Sequence, residues 1–159
     1  MNANLRTSLR RGFTLVEILI VVVILGILAA IVVPQFADAS TMAVKSALLR
    51  QLQSIDNQVE LYRGAHAGQF PTADPVAPMA AGGTNNGWGA LVSDQYLKES
   101  PLNPFTSMTL LVAGDGATAA AELNSSVNGW YFQLSASADR LDIFAAGYDR
   151  TTDRLSNEP

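Results

Sequence analysis

One carboxylate stands at the mouth of a long apolar run, and it is the sharpest chemical signal in the chain. After Glu17 no charged residue occurs from Ile18 to Ala37, and Ile18–Val33 holds only aliphatic residues, alanine and one glycine. A charge inside hydrocarbon costs roughly 2.5–3.5 kcal/mol on insertion scales, so an acid retained there is expected to have a task, and here the expected task is assembly. The other ionisable residues form no catalytic constellation. His66 is the sole histidine; it follows a helical pattern, has no neighbouring partner in sequence, and reads as an exposed helix-terminal residue. Asp139 and Asp142 flank an expected hairpin and read as solvated charge. Gly114-Asp115-Gly116 reads as a turn rather than a nucleotide-binding loop, and no motif frames a serine as a nucleophile. The expectation is a protein that is not an enzyme.

The elements that must position Glu17 come next. If helical, Ile18–Val33 spans about 24 Å, short of the ~30 Å hydrocarbon core. Adding Phe13–Val16 and Gln35–Ala37 brings it to membrane length, with Glu17 near the edge. Arg6, Arg10 and Arg11 precede the run, so the positive-inside rule keeps that end cytoplasmic and sends everything after Asp38 across the membrane. Three other N-terminal readings compete. Ala37-Asp38-Ala39 offers a secretory cleavage signature, Arg10-Arg11-Gly12-Phe13 can be read as a twin-arginine export signal, and an uncleaved anchor is the third. Neither signal type needs Glu17, the run exceeds the usual apolar region of a signal peptide, and the helical pattern continues through the supposed cleavage site. Pro34 lacks an N–H and is expected to kink the helix. That proline and Gly26 are read either as routine membrane-helix composition or as a point where the helix must bend or unwind.

Beyond the run, Val44, Leu48, Leu52, Ile55, Val59 and Tyr62 fall in steps of four and three, tracing one helix face. A single helix is therefore expected over about 14–65, apolar all round in its first half and one-sided in its second. Gly64, Gly68 and Pro71 end it, and residues 71–87 read as an irregular loop. Trp88–Leu97 is expected as a short helix, with Ser100–Phe105 a proline-fixed turn. Trp130–Leu134 and Leu141–Ala145 are expected strands, with Thr109–Val112 a third. Ala113–Asn128 reads as a surface loop and the segment after Gly147 as a polar tail without a core signal. The fold class is α+β, a long helix packed on a small antiparallel sheet. The organisation is 1–12, 13–37, 38–65 and a head at 66–159.

The charge balance is 10 basic against 14 acidic residues; the first twelve residues hold Arg6, Arg10 and Arg11 and no acid. Without a basic stripe to neutralise phosphates, no nucleic-acid partner is expected. Cysteine is absent, which excludes disulfides and thiol chemistry but leaves the compartment open.

Gly12, Phe13, Thr14 and Glu17, followed by the apolar run and Pro34, resemble the N-terminus of type IV prepilins and type II secretion pseudopilins. The resemblance implies a leader of residues 1–12, cut after Gly12 by a prepilin peptidase that also N-methylates Phe13, and a Glu17 that steers filament assembly. Phe70-Pro71, Tyr96-Leu97-Lys98 and Pro101–Phe105 resemble the major pseudopilin of type II secretion more than adhesive pilins. The implied partners are copies of the same chain, minor pseudopilins and an inner-membrane assembly platform. The implied location is the inner membrane, single-pass, with the head and filament in the periplasm. A type IV pilus subunit remains the alternative, and an anchored periplasmic binding module a more distant one. No cofactor is expected, although major pseudopilins commonly hold calcium in a C-terminal loop, for which Asp149 and Asp153 are the candidate donors.

Overall fold

The computed structural model describes residues 12–123 and 126–158, except for the side chains of Pro34, Ala37 and Asp38. Of the leader expected over 1–12, all but Gly12 lies outside the described residues, as do Arg6, Arg10 and Arg11. Helix α1 runs Leu15–Ala65, as the fused apolar and amphipathic patterns require. The helical assignment includes Pro34. By its contacts the chain forms two units, Met1–Ser40 and Thr41–Pro159.

In the first unit the described large apolar side chains of α1 are exposed, from Leu15 through Val33 to Phe36. Leu15–Val33 has a mean hydropathy of 3.3 and is long and apolar enough to cross a membrane. No part of that segment is buried within the chain, so its surroundings must supply its apolar contacts.

The second unit builds its own core. The stripe on α1 delivers Leu48, Leu52, Ile55, Val59 and Tyr62 at 2% exposure or less. They join Trp88, Leu91, Leu111, Trp130, Ile143 and Ala145 in one cluster. The two tryptophans meet edge to face at 6.1 Å, and each indole N–H reaches a carbonyl, Trp88 that of Thr109 and Trp130 that of Pro101. The expected helix over Trp88–Leu97 shrinks to α2, Ala90–Ser93. Gly89 before it takes φ 45°, outside the helical region, and a 3-10 turn with left-handed Asn85 and Asn86 precedes that.

The sheet order is β1 (Leu111–Ala113), β2 (Trp130–Leu134), β3 (Leu141–Ala145). β2 and β3 pair antiparallel as expected, Trp130 opposite Ala145 and Leu134 opposite Leu141. β1 departs from expectation by pairing parallel to β2, with Leu111 opposite Trp130. A parallel pair needs a crossover of a dozen or more residues, and the segment read as a surface loop supplies it. It carries α3, Gly116–Ala121, capped by Asp115, whose carboxylate accepts the Thr118 amide at 2.8 Å. Ala119 in α3 is fully buried, and its carbonyl accepts the Gly147 amide.

The polar tail also proves structured. β4 (Tyr148–Asp149) and β5 (Arg154–Leu155) form an antiparallel hairpin. Tyr148 and Leu155 stand opposite each other and are buried in the main core. Two apolar residues suffice because alternation turns both toward the same face.

Candidate functional site: the N-terminal carboxylate and its cap

Thr14 and Glu17 close a reciprocal cap on the first turn of α1. The Thr14 hydroxyl accepts the Glu17 amide at 3.2 Å. The Glu17 carboxylate reaches back, its Oε2 accepting both the Thr14 amide and the Thr14 hydroxyl at 2.9 Å. This is a capping box: a threonine and a glutamate three positions apart satisfy donors that a helix start otherwise leaves open. The carboxylate also lies in the first turn, where the helix dipole favours negative charge. Thr14 was not singled out for this role from the sequence, although Thr-x-x-Glu before an apolar run is the signal that marks it. Among the described residues nothing approaches the Cα of Gly12 where a Cβ would stand, and Phe13 is 79% exposed. Gly12 and Phe13, where cleavage and methylation are expected, and the Glu17 carboxylate thus fall within six residues.

The other candidates lie in the second unit. His66 is no free helix-terminal residue. Its ring stacks on Tyr62 at 3.8 Å, its Nδ1 lies 2.9 Å from the Tyr62 carbonyl, and its Nε2 is 4.0 Å from the Asp94 carboxylate. Tyr62 in turn donates to Asp74, whose carboxylate also accepts the Ala77 and Val76 amides. Those two amides, then the Tyr62 hydroxyl, hold Asp74 below the ordinary carboxylate range. The group ties the end of α1 to the following loop. Asp139 accepts the Ser135 and Ser137 hydroxyls, and Asp142 pairs with Arg140 at 2.8 Å.

Asp149 and Asp153, the candidate calcium donors, flank the turn of the C-terminal hairpin but serve different partners. Asp149 accepts the Thr151 amide and the Thr152 hydroxyl, each at 2.8 Å. Asp153, at φ 54°, accepts the Tyr148 hydroxyl at 2.8 Å. Burial first, and then that bond, push the Tyr148 phenol up to about 12. Among the described residues no group of three or more acidic or histidine side chains is placed to share one metal ion.

Residues 7–33 match the prokaryotic N-terminal methylation motif, which spans Gly12, Phe13, Thr14 and Glu17. The chain is 29% identical over 143 residues to the type II secretion system core protein G of Escherichia coli K12, covering 84% of this chain and 85% of that one. It is 34% identical over 98 residues to core protein G of Pseudomonas aeruginosa, covering 59% and 67%. It is 32% identical over 134 residues to the type IV major fimbrial protein FimA of Dichelobacter nodosus, covering 80% and 81%. No solved structure matches the chain significantly. The methylation motif, the capped carboxylate before an exposed apolar helix, and likeness extending through most of the chain agree: the protein belongs to the type IV pilin and pseudopilin family, with type II secretion core protein G among its relatives.

Proposed function

We propose that this chain is the major structural subunit of a type II secretion pseudopilus, stored in the inner membrane and polymerised in the periplasm after processing. The observation that carries the reading is the methylation motif, set on a helix whose first stretch, Leu15–Val33, is apolar and wholly unburied among the described residues. Such a surface is compatible with two environments, lipid and the packed helices of a filament. A prepilin peptidase cuts after Gly12 and methylates Phe13. The new Phe13 amine is a cation, and the Glu17 carboxylate of a neighbouring subunit pairs with it in a low-dielectric filament core. Pairing offsets desolvation and fixes the register between subunits, whereas removing one partner strands a buried charge at a cost of roughly 3–5 kcal/mol. The head then acts as a folded spacer without enzymatic activity, and bending at Pro34 accommodates the move from bilayer to filament. Minor pseudopilins and the inner-membrane platform are the remaining partners.

Mass spectrometry of the mature N-terminus tests the processing step. The expected product starts at a methylated Phe13; a start near Ser40 supports ordinary secretion, and an intact Met1 supports a plain anchor. The likeness to FimA favours a second reading, a type IV pilus subunit. Gene deletion separates the two. Loss of exported hydrolases with motility, adhesion and DNA uptake preserved supports the pseudopilus, and the reverse pattern supports the pilus.

A further inference from the structure

We propose that the C-terminal hairpin is latched onto α1 by the chain's own ion pairs and hydrogen bonds, in place of a bound divalent cation. The latch has two points. Lys45 on α1 meets the Glu158 carboxylate at 2.8 Å, with both side chains about four-fifths buried. The same carboxylate accepts the Leu155 amide at 2.8 Å, so Glu158 closes the end of β5 and ties it to the helix. About three helical turns further along α1, Arg150 in the hairpin turn faces Asp56 at 3.7 Å and also donates to the Ile143 carbonyl. Burial pushes the Asp56 carboxyl up, and the guanidinium opposes that shift.

A calcium ion needs six to eight oxygens converging on one point. Neighbouring strand residues turn to opposite faces, so Tyr148 enters the core while Asp149 is directed away from it. Asp153 is held by the Tyr148 hydroxyl and Asp149 by the Thr151 amide and Thr152 hydroxyl, so the two carboxylates are directed to different partners. The Ser156 hydroxyl is buried without a hydrogen-bond partner, but it offers a single neutral oxygen. Arg150 and Arg154, adjacent in sequence to Asp149 and Asp153, add positive charge to the segment. The donor set does not fit calcium, and the ion pairs do the fastening.

Hydrogen exchange of the segment 147–158, followed by mass spectrometry on the full chain in detergent, tests this. Exchange is expected to be the same in EDTA and in millimolar calcium chloride; slowing by calcium overturns the proposal. A saturated calcium site would also lift the melting midpoint by on the order of 10 °C, whereas no rise is expected. Glu158→Gln keeps an acceptor for the Leu155 amide but removes the charge, and Lys45→Gln removes the other partner. Each is expected to speed exchange about fivefold, with the double variant no faster than either single one. Unchanged exchange in the single variants, or additive effects in the double, overturns the latch. Near-ultraviolet circular dichroism from Trp88 and Trp130 reports that the head is folded in each case.

Discussion

Asn103 sits at 0% exposure between two prolines in the turn Pro101–Pro104, and its replacement is the most demanding test of the head. Its side-chain amide donates to the Gly129 carbonyl at 2.6 Å and to the Ala146 carbonyl at 3.1 Å. Its carbonyl oxygen accepts the Phe105 amide at 2.7 Å and the Thr106 amide at 3.2 Å. One side chain thereby joins the proline turn to the entry of β2 and the exit of β3. Asn103→Ala removes four hydrogen bonds, but the losses are unequal. The Gly129 carbonyl keeps the Ala146 amide as a donor, so it is not orphaned. The Ala146 carbonyl and the Phe105 and Thr106 amides lose the partner they have. At about 1–3 kcal/mol for each buried group left unsatisfied, with some relief from water entering the gap, the cost is roughly 3–6 kcal/mol. A domain of this size has about 5–15 kcal/mol in all, so the midpoint is expected to fall by roughly 10–20 °C. Both tryptophans of the chain lie in the head, so a near-ultraviolet circular dichroism melt follows this unit alone. Asn103→Asp turns an acceptor toward the two carbonyls and is expected to be at least as harmful. A midpoint within about 3 °C of the parent for Asn103→Ala would refute the reasoning, because orphaning two buried groups and a half-buried one is not that cheap.

Leu52→Ala deletes a fully buried residue of α1 and is expected to cost roughly 2–5 kcal/mol, read from a denaturant melt; a loss below about 1 kcal/mol contradicts its place in the core. Gly89→Ala is expected to prevent accumulation of folded head, since an added Cβ would come within 2.4 Å of the Ala77 and Pro78 carbonyls at a positive φ; a native-like melt shows that α2 starts differently. Glu17→Leu is expected to leave cleavage after Gly12 intact and to abolish filaments, scored by mass spectrometry and shearing; normal filament yield removes Glu17 from assembly. Acid is expected to weaken the head. Thr118 holds Asp115, Thr152 holds Asp149, and Lys45 holds Glu158 below the ordinary range, as the Ala77 and Val76 amides hold Asp74. Their stabilisation is complete above a pH of about 4, the unfolded value, and drains away as pH falls through the lower folded values. Asp56 works in the other direction, because desolvation raises its pKa and protonation relieves it. Tyr131 holds Glu122 and Ser135 holds Asp139 below the ordinary range as well, so six groups against one make a falling midpoint below a pH of about 4 the expected result, and a flat or rising one the refutation.

The parts legible in the sequence share one property: their signal repeats. The stripe from Val44 to Tyr62 recurs at helical spacing, so each residue supports the next, and its members from Leu48 onward are buried as the spacing demands. Leu141, Ile143 and Ala145 alternate and are buried alternately. Where the signal does not repeat, the sequence says little. β1 has three residues, and its parallel pairing depends on a crossover rich in Ala, Gly and Ser, whose composition resembles a loop. The C-terminal hairpin has two-residue strands, too short for any period to show. Asn103 has the composition of a turn. Its function depends on carbonyls 26 and 43 residues away, which no local pattern encodes. His66 likewise gains partners from Tyr62, one helical turn back, and from Asp94 in a different segment.

The capped carboxylate bears on how one terminus can serve both storage and assembly. Among the described residues the cap uses Thr14 and Glu17 alone, so the proposed cleavage after Gly12 would leave each of these hydrogen bonds in place. A Phe13 amine freed by the proposed cleavage would therefore not be required to close its own helix. Both Thr14 donors meet Oε2, and the second carboxylate oxygen takes no part in the cap. A carboxylate can accept from several donors at once, so the cap and a cation from a neighbouring subunit are compatible occupants. An aspartate would be one methylene too short to serve both, and a glutamine would hold the cap without supplying charge. Glu17→Gln thus separates the two roles. The helix start should survive and assembly should not, whereas Thr14→Val should weaken the cap by about 1 kcal/mol while leaving the charge in place.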